Sequence, residues 1–389
     1  MGSFSKKKMA AVLGCLLIVS ASASTDQNCM PPKQAKPMQE DCNCNPCITP
    51  PDTCAYNAPV VLNPCAPTNL YVTGSFIYWR ASADYLTYAF LDNEYSPNPL
   101  DIQNNLFSGE TVTSDFKYKP GYKVGLGYKI PRDHWDVYVE YTRLHQTVNS
   151  FQGTQFPPQH IHAAWLVFIN PLVLGEEFRS ASTKWQLELD ILDAEVGRDF
   201  FCGRNLTLRP SFGLRNLWLE QDYNIIYTPI TTPIQIQSLN KSHSWGIGPR
   251  AALNADWNIF WGFKICGDIG ASLLHVQERI SVKQINPGLL SVISSDVSYS
   301  NKSELKSLKP ILDLSLGLEW GHELFQEKCF FSLRASYDYS FYWDQGAIQL
   351  GRAPLVAPGL PIQVVVGNVG LGSGNLSFEG PTLKARLDF

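Results

Sequence analysis

The sequence predicts an all-β fold: a transmembrane antiparallel up-and-down β-barrel of about 10–14 strands, with short periplasmic turns and long external loops. Apolar and polar residues alternate through segments of about 10–17 residues. The last of these segments ends on Phe389, and the connections between segments alternate between short and long. The chain also begins with an export signal, which places the mature protein outside the cytoplasm.

The first 23 residues have the three parts of a secretory signal peptide. Residues 6–8 are lysines, residues 9–19 form an apolar core, and residues 21–23 are a cleavage site of small residues. Because the apolar core is too short to span a bilayer, we expect residues 1–23 to be removed. A lipoprotein anchored at Cys15 is the alternative, but it leaves almost no apolar core before the cysteine.

Residues 24–68 are rich in cysteine and proline and have no periodicity, which predicts a periplasmic leader without a packed core. In an exported chain we expect its cysteines to form disulfides, within the leader or with neighbouring envelope proteins. Free thiols and a metal site are the open alternatives, and the pairing cannot be deduced from spacing. The disulfide candidates are Cys29, Cys42, Cys44, Cys47, Cys54 and Cys65.

Residues 69–389 carry the barrel pattern. In the segment 184–191 every odd-numbered residue is apolar and every even-numbered residue is polar, so a strand there has one apolar and one polar face. Such long strands fit a bilayer, which a tilted strand crosses in about 9–11 residues, better than the alternative of a soluble β-sandwich. The ten predicted strands are 69–81, 113–130, 135–147, 181–196, 205–219, 243–257, 261–275, 307–320, 329–342 and 376–389. The predicted long connections are about 82–112, 148–180, 222–241, 278–305 and 343–375.

The composition agrees with a barrel and excludes two other classes. The mean hydropathy is −0.11, and no stretch after residue 23 reaches the length of about 18 apolar residues that a membrane helix needs. Charged residues make up 17% and aromatic residues 12%, which suits a surface in contact with lipid. A net charge of −4 gives no basic field for nucleic acid, so no nucleic-acid partner is expected.

The polar face of the predicted strands is the candidate functional surface. If the apolar face contacts lipid, the charged side chains line the lumen, which is then either wet and ion-selective or plugged by a salt-bridge network. Small inward residues such as Gly125 and Gly127 would help to open a path. The predicted pore-lining residues are Lys123, Lys129, Glu140, Lys184, Glu188, Asp190, Arg209, Arg215, Arg250, Asp268, Asp313, Arg334, Lys384 and Arg386.

Nothing in the sequence predicts catalysis, and we expect no metal and no cofactor. His160 and His162 form a His-x-His pair, but it lies in a long loop where a shared metal-binding face is not assured. No Gly-x-Ser-x-Gly, His-Glu-x-x-His or phosphate-loop motif occurs. The expectation is therefore a protein that is not an enzyme, with an outer-membrane hydrolase as the less favoured alternative.

Two segments carry further predictions. The apolar run 163–169 lies in a long loop, where exposure to water would favour aggregation. We expect it to fold inward as a constriction or to pack against a second subunit. In the last strand, Leu383, Leu387 and Phe389 share the apolar face, and this ending resembles the segment that the barrel-assembly machinery recognises. We predict that these three residues act as the assembly signal.

Aromatic and glycine patterns in residues 76–81, 120–128, 134–138 and 140–142 are similar in order and spacing to one family. Over most of the mature chain they resemble the chlamydial and Legionella-type major outer membrane proteins (MOMP-like), which are pore-forming. The resemblance implies a multi-pass porin of the bacterial outer membrane that passes small hydrophilic solutes or ions, often as a homo-oligomer. The cysteine-rich leader is similar in composition to envelopes stabilised by disulfides. The alternative function is a structural or adhesin barrel with a plugged lumen.

Overall fold

The structure is a computed structural model. Four two-residue strands pair as Ile348–Gln349 with Leu371–Gly372 and Pro354–Leu355 with Val364–Val365. The predicted signal peptide and leader, including the six disulfide candidates, lie outside the described residues. Apart from the two-residue strands, the structure describes residues 69–92, 109–130, 135–154, 160–165, 178–202, 205–230, 235–286, 297–324, 329–345 and 374–389.

Ten long antiparallel strands form one closed barrel, and the described residues contain no helix. Each strand pairs with the next one in the chain, and the last pairs with the first, so the barrel has no open edge. The fold class predicted from the alternation is thereby confirmed. The strands are β1 Leu70–Ala83, β2 Tyr118–Lys129, β3 Trp135–Gly153, β4 Phe178–Arg198, β5 Leu206–Pro229, β6 Ile236–Phe260, β7 Phe263–Asn286, β8 Val297–Leu324, β9 Cys329–Tyr342 and β10 Leu376–Asp388.

The last strand, β10, closes the barrel between β1 and β9. Leu383 pairs with Phe76 of β1, and the backbone N–H of Phe389 donates to the carbonyl oxygen of Leu70 at 2.8 Å. Leu387 pairs with Phe331 of β9 on the other side. The three residues predicted as the assembly signal therefore lie in and just after the strand that completes the ring.

The two ends of the barrel differ, and we name them the turn end and the loop end. Short connections join β2 to β3, β4 to β5, β6 to β7 and β8 to β9 at the turn end, where β1 begins and β10 ends. Trp261 and Gly262 form the tightest turn, with φ values of 50° and 80°. Two central residues in the left-handed region are typical of a two-residue hairpin turn. The loop end carries the other connections, most of them longer: 84–117, 154–177, 230–235, 287–296 and 343–375.

In the half of the barrel next to the turn end, the turn half, apolar side chains point outward and polar side chains point inward. Phe212 is 69% exposed and Leu316 is 66% exposed on the outside, whereas Ser332 is buried inside. We name this outward band the apolar belt. It covers residues 263–273 of β7 and 308–320 of β8, close to the length of about 9–11 residues with which a tilted strand crosses a bilayer.

In the other half, the loop half, the polarity of the two faces is exchanged. Trp185 and Leu217 are fully buried inside the barrel. On the outside, Glu188 and Lys241 have side chains that are 44% and 51% exposed. An apolar interior and a polar exterior are what a protein surrounded by water requires. The loop half is therefore built to stand in water beyond the apolar belt.

The strands are longer than the sequence analysis predicts, and the exchange of faces explains why. We expect segments of about 10–17 residues, but β8 has 28 residues. Beyond the belt the alternation continues, but the outward residues become polar. In the amino-acid sequence, this part of the strand therefore resembles a loop. The predicted long connections 222–241 and 278–305 are therefore mostly strand, and the residues outside strands there are 230–235 and 287–296.

A segment that follows β1 enters the loop half, and we name residues 84–92 the inserted segment. Its strand, Thr87–Asp92, pairs with the short strands Gly109–Thr113 and His160–Ala163. The hydroxyl of Tyr223 donates to the carbonyl oxygen of Leu86 at 3.1 Å, and that of Tyr227 donates to the carbonyl oxygen of Tyr88 at 2.6 Å. Because both donors lie on the inward face of β5, the inserted segment packs inside the barrel.

Candidate functional site

The turn half encloses a cavity of about 330 Å³ that is lined mainly by polar and charged side chains. Nine basic and eleven acidic side chains line it, so its charge is nearly balanced. The basic residues are Lys123, Lys129, Arg209, Arg215, Arg250, Lys264, Arg334, Lys384 and Arg386, and the acidic residues are Asp136, Glu140, Asp193, Glu195, Asp199, Asp256, Asp268, Asp313, Glu319, Asp338 and Asp388.

Arg209 of β5 is the centre of the network near the turn end. Its Nε and Nη2 donate to the two carboxylate oxygens of Asp136 at 2.9 and 2.8 Å, and its Nη1 donates to Glu195 at 3.0 Å. Asp136 also accepts a hydrogen bond from the hydroxyl of Tyr71 at 2.6 Å. Two-pronged arginine–carboxylate pairs are the strongest and most directional of the charged contacts. The network therefore holds β1, β3, β4 and β5 together from the inside.

A second network surrounds Asp388, the last residue of β10. Its carboxylate lies 2.8 Å from Lys129 Nζ and 2.6 Å from Arg386 Nε. The guanidinium of Arg386 stacks on the ring of Tyr71 at 3.9 Å from the ring centroid. A side chain at Gly127 would lie 2.0 Å from the same ring. The inward glycine expected to open a path thus makes room for an aromatic ring that fills the space.

Two arginines and two aspartates form a cluster where the polar interior meets the apolar one. Arg215 donates to both oxygens of Asp193 at 2.7 Å, and its Nη1 lies 2.7 Å from Asp313 Oδ2, although not in hydrogen-bonding geometry. Arg250 lies 3.6 Å from each of the two aspartates. The next inward residue of β5 after Arg215 is the fully buried Leu217. The cluster therefore closes the cavity on the side of the loop half.

Beyond this cluster, apolar and aromatic side chains, together with buried polar ones such as Ser242 and Glu278, occupy the described part of the interior. The ring of Trp165 packs edge-on against Tyr223 at a centroid distance of 5.2 Å, and its indole N–H donates to the carbonyl oxygen of Thr87. Trp165 belongs to the apolar run expected to fold inward, and it does lie inside; residues 166–169 are outside the described part of the chain. We name as the plug six side chains, each exposed by 6% or less: Leu86, Tyr88, Trp165, Trp185, Tyr223 and Tyr227.

Some polar groups inside the loop half are paired with neighbouring side chains. Burial raises the pKa of the Tyr223 hydroxyl above its ordinary value, and burial likewise raises the pKa of Tyr85. Both phenols therefore stay protonated at neutral pH and act as donors, Tyr85 to the side-chain oxygen of Gln221. Lys309 and Glu278 form an ion pair of 2.8 Å whose side chains are 2% and 1% exposed.

The structure brings eleven of the predicted pore-lining residues to the cavity wall. Lys184, Glu188 and Asp190, which were also predicted to be pore-lining, do not lie there. Glu188 is outside the barrel, 3.6 Å from His145, because the inward face of β4 at this height holds Trp185 and its apolar neighbours. Those that line the cavity are Lys123, Lys129, Glu140, Arg209, Arg215, Arg250, Asp268, Asp313, Arg334, Lys384 and Arg386.

The sequence analysis missed the acidic partners of the predicted bases, among them Asp136, Asp193 and Glu195. For Asp193 and Glu195, the spacing from Asp190 in the sequence carried a signal. Asp190 and Asp193 are three positions apart in the sequence, so on a regular strand their side chains point to opposite faces. Only one of the two aspartates can line the lumen. Because Asp193 shares a face with a run of apolar residues, that face was predicted to contact lipid, and Asp190 was predicted to point inward.

The histidines and cysteines do not form a second centre in the described structure. Among the described residues, no three His, Cys, Asp or Glu side chains are grouped so as to hold a metal ion. His160 and His162 lie on a short strand, and the side chain of His160 is outside the described part. Cys202, Cys266 and Cys329 are free thiols. No described helix is long and apolar enough to span a membrane.

A closed barrel with an exposed apolar belt and a charged interior at belt height, in which β1 begins and β10 ends at the turn end, defines a transmembrane β-barrel of the bacterial outer membrane. The family described as the Legionella pneumophila major outer membrane protein precursor matches residues 62–389. The chain belongs to this family. The predicted family and the outer-membrane location are thereby confirmed.

Comparison with solved structures finds other outer-membrane barrels. The outer membrane protease OmpT of Escherichia coli is 10% identical, with a TM-score of 0.38, over 83% of this chain and 97% of that chain. The attachment invasion locus protein Ail of Yersinia pestis is 9% identical with a TM-score of 0.23, over 83% of this chain and 99% of that one. A FadL homologue of Pseudomonas aeruginosa is 8% identical with a TM-score of 0.23, over 86% and 93%. No curated protein matches the chain.

Proposed function

We propose that this protein is a structural barrel of the outer membrane whose lumen is closed, and that it acts through the parts exposed beyond the membrane. The plug is the observation that carries the proposal. Trp185 and Tyr227 are fully buried and Trp165 is 6% exposed, so water-filled space does not extend through the described interior of the loop half. A solute that entered the cavity from the periplasm would meet the plug.

The size of the barrel supports the same conclusion. A barrel of about eight strands has an interior just wide enough to be filled by side chains, whereas an aqueous channel needs about 16–18. This barrel has ten. Ion pairs between charges on different strands cross the interior, as between Arg334 and Asp268 at 2.7 Å. Charges that are already paired with one another are poor at replacing the hydration shell of a passing ion.

A porin is the second candidate function, and the charged cavity favours it. The cavity extends to the turn end, where Lys129 and Asp388 line it, and its mixed charges suit small hydrophilic solutes or ions. Conduction would then require the inserted segment to leave the loop half, so that the plug opens. This porin would be a gated channel, closed in the conformation described here.

Planar-bilayer recording of the refolded, purified protein separates the two candidates. The closed barrel gives no stepwise conductance across the range of voltages that the bilayer tolerates. Deletion of the inserted segment, residues 84–92, is the matched variant, since it removes Leu86 and Tyr88 from the plug and leaves the ten strands of the barrel wall unchanged. Steps in the variant alone support a closed barrel, whereas steps in the unaltered protein would establish the porin.

The proposal assigns no catalytic role, cofactor or metal to the chain, and it includes three kinds of partner. Outer-membrane lipid surrounds the belt, neighbouring envelope proteins or further copies of the chain are bound through the leader cysteines, and the barrel-assembly machinery inserts it. Non-reducing gels of isolated envelopes test the role of the leader cysteines. Cross-linked species that disappear on reduction support the proposal that these cysteines link the protein to its partners. A lipid-hydrolysis assay on the refolded protein tests the absence of a hydrolase activity.

Deleting Phe389 should reduce the amount of barrel in the outer membrane several-fold while export into the periplasm continues. The residue packs outward at the end of β10, and its N–H donates to Leu70 across the closing seam, so its loss weakens the strand that must pair last. Surface labelling and fractionation measure the two quantities. Deleting residues 371–372 of the loop end is the control, and equal surface levels of the two variants would contradict the prediction.

A further inference from the structure

The outside of the loop half carries an uneven distribution of charge, and one basic surface stands out. Arg279 and Lys283 on β7 and Lys302 and Lys306 on β8 all point outward and are exposed. We name these four residues the basic patch. Glu304, the acidic residue among them, is already engaged, since it accepts a hydrogen bond from Gln277 and lies 3.9 Å from Arg279 Nε.

Strand register places the four cations next to one another. Arg279 pairs with Glu304, and Lys302 pairs with Ser281, which lies between Arg279 and Lys283 on β7. Lys302, Glu304 and Lys306 follow one another on one face at steps of about 6.6 Å. Within the described residues the three lysines form no ion pair. Their ammonium groups are therefore available to an anion.

The basic patch begins where the apolar belt ends. Leu308, which is 65% exposed, is the last outward residue of the belt on β8, and Lys306 is the next one on that face. On β7 the belt ends at Leu273, and Arg279 follows three outward positions later. The patch thus begins at the height at which the headgroups of the outer leaflet meet water, where lysine and arginine side chains place their charge, and it continues along the strands away from the belt.

The strands beside the basic patch, β3 to β6, have a different character at the same height. The strand register there runs from His145 to Glu188, Glu220 and His243, which in turn is next to Arg279. The two glutamates lie 3.6 Å from their histidines. Acidic residues on β4 and β5 thus lie beside histidines, so the excess of cations on β7 and β8 is a local property of this surface.

We propose that the basic patch binds the phosphate groups of a phosphorylated lipid in the outer leaflet. This contact holds the β7–β8 side of the loop half close to the membrane surface. Cations just beyond an apolar belt complement a lipid that offers phosphates above acyl chains, and each lysine or arginine near an anionic surface strengthens binding. The inference rests on the membrane position of the barrel and is independent of whether the lumen is closed.

Binding of diphosphorylated lipid A to the full-length protein in detergent tests the proposal. The triple variant Lys283→Gln, Lys302→Gln, Lys306→Gln should bind lipid A more weakly by a factor on the order of 100, since each lysine contributes roughly a factor of five. Lipid A stripped of its phosphates should bind the unaltered protein as weakly as diphosphorylated lipid A binds the triple variant. All three positions are exposed, so the barrel should fold normally, which far-UV circular dichroism checks.

Lys117→Gln, Lys184→Gln, Lys241→Gln is the matched control, because it removes three exposed lysines elsewhere on the loop half and changes the net charge equally. It should weaken binding less than threefold. Equal losses in the two triple variants, or equal binding of lipid A with and without phosphates, would overturn the proposal. Displacement of lipid A by equimolar inorganic phosphate would also overturn it, since the patch would then be a site for free phosphate.

Discussion

Replacing Trp185 by alanine is expected to lower the free energy of unfolding by about 3–5 kcal/mol, as removal of a buried aromatic side chain does. Trp185 is fully buried in the plug, and its ring packs edge-on against Phe116 at a centroid distance of 5.5 Å. Guanidinium unfolding in lipid vesicles, followed by far-UV circular dichroism, measures the change. Because the described residues offer its indole N–H no acceptor, Trp185→Phe should lose less than half as much.

Phe151→Ala is the control, since Phe151 is an aromatic residue on the outward face of the loop half and is 71% exposed. Its replacement should change the free energy of unfolding by less than about 0.5 kcal/mol. If Trp185→Ala were as mild as this control, the loop half would not have a packed interior. The structural basis of the closed lumen would then be wrong, whatever the conductance of the unaltered protein.

The second large effect is expected at the buried ion pair of Lys309 and Glu278. Lys309→Met should lower the free energy of unfolding by about 3–5 kcal/mol, because it leaves the Glu278 carboxylate buried without its cation. Ser242 donates to that carboxylate at 2.7 Å, but a single hydroxyl does not replace a charge. The double variant Lys309→Met, Glu278→Gln should recover most of the loss, since no unpaired charge remains.

The exposed pair of Lys241 and Asp222 provides a control with the same geometry. Its charged atoms are also 2.8 Å apart, but the side chains are 51% and 40% exposed. Lys241→Met should therefore cost less than about 1 kcal/mol. Similar losses for Lys241→Met and Lys309→Met, or a double variant no more stable than Lys309→Met, would show that water reaches the buried pair and that the loop half is not dry.

Much of the turn half could be predicted from sequence. Ten strands, their order around the ring and the closing role of β10 follow from alternation and from the rhythm of the connections. Arg209 and Arg334 were predicted to face inward, and both line the cavity. These predictions succeed where the surroundings of the strand are lipid, because lipid demands an apolar outward face at every second position.

The contacts between the inward charges could not be predicted. Arg209 and Asp136 are 73 residues apart in sequence and meet across the interior, and an alternating pattern carries no information on which inward residue faces which. The same is true of the inserted segment. Residues 84–92 resemble an external loop, and only the inward tyrosines Tyr223 and Tyr227, which donate to its carbonyls, place it inside.

The sequence by itself determined that each strand has two unlike faces and that the last strand ends on Phe389. It did not determine which face lies inside. That choice depends on the surroundings at each height: lipid makes the apolar face point outward in the turn half, and water makes it point inward in the loop half. Lys184, Glu188 and Asp190 lie on the same strand as Asp193 and Glu195, yet the first three do not line the cavity and the last two do. Only the tertiary structure, by setting where the belt ends, decides between the two.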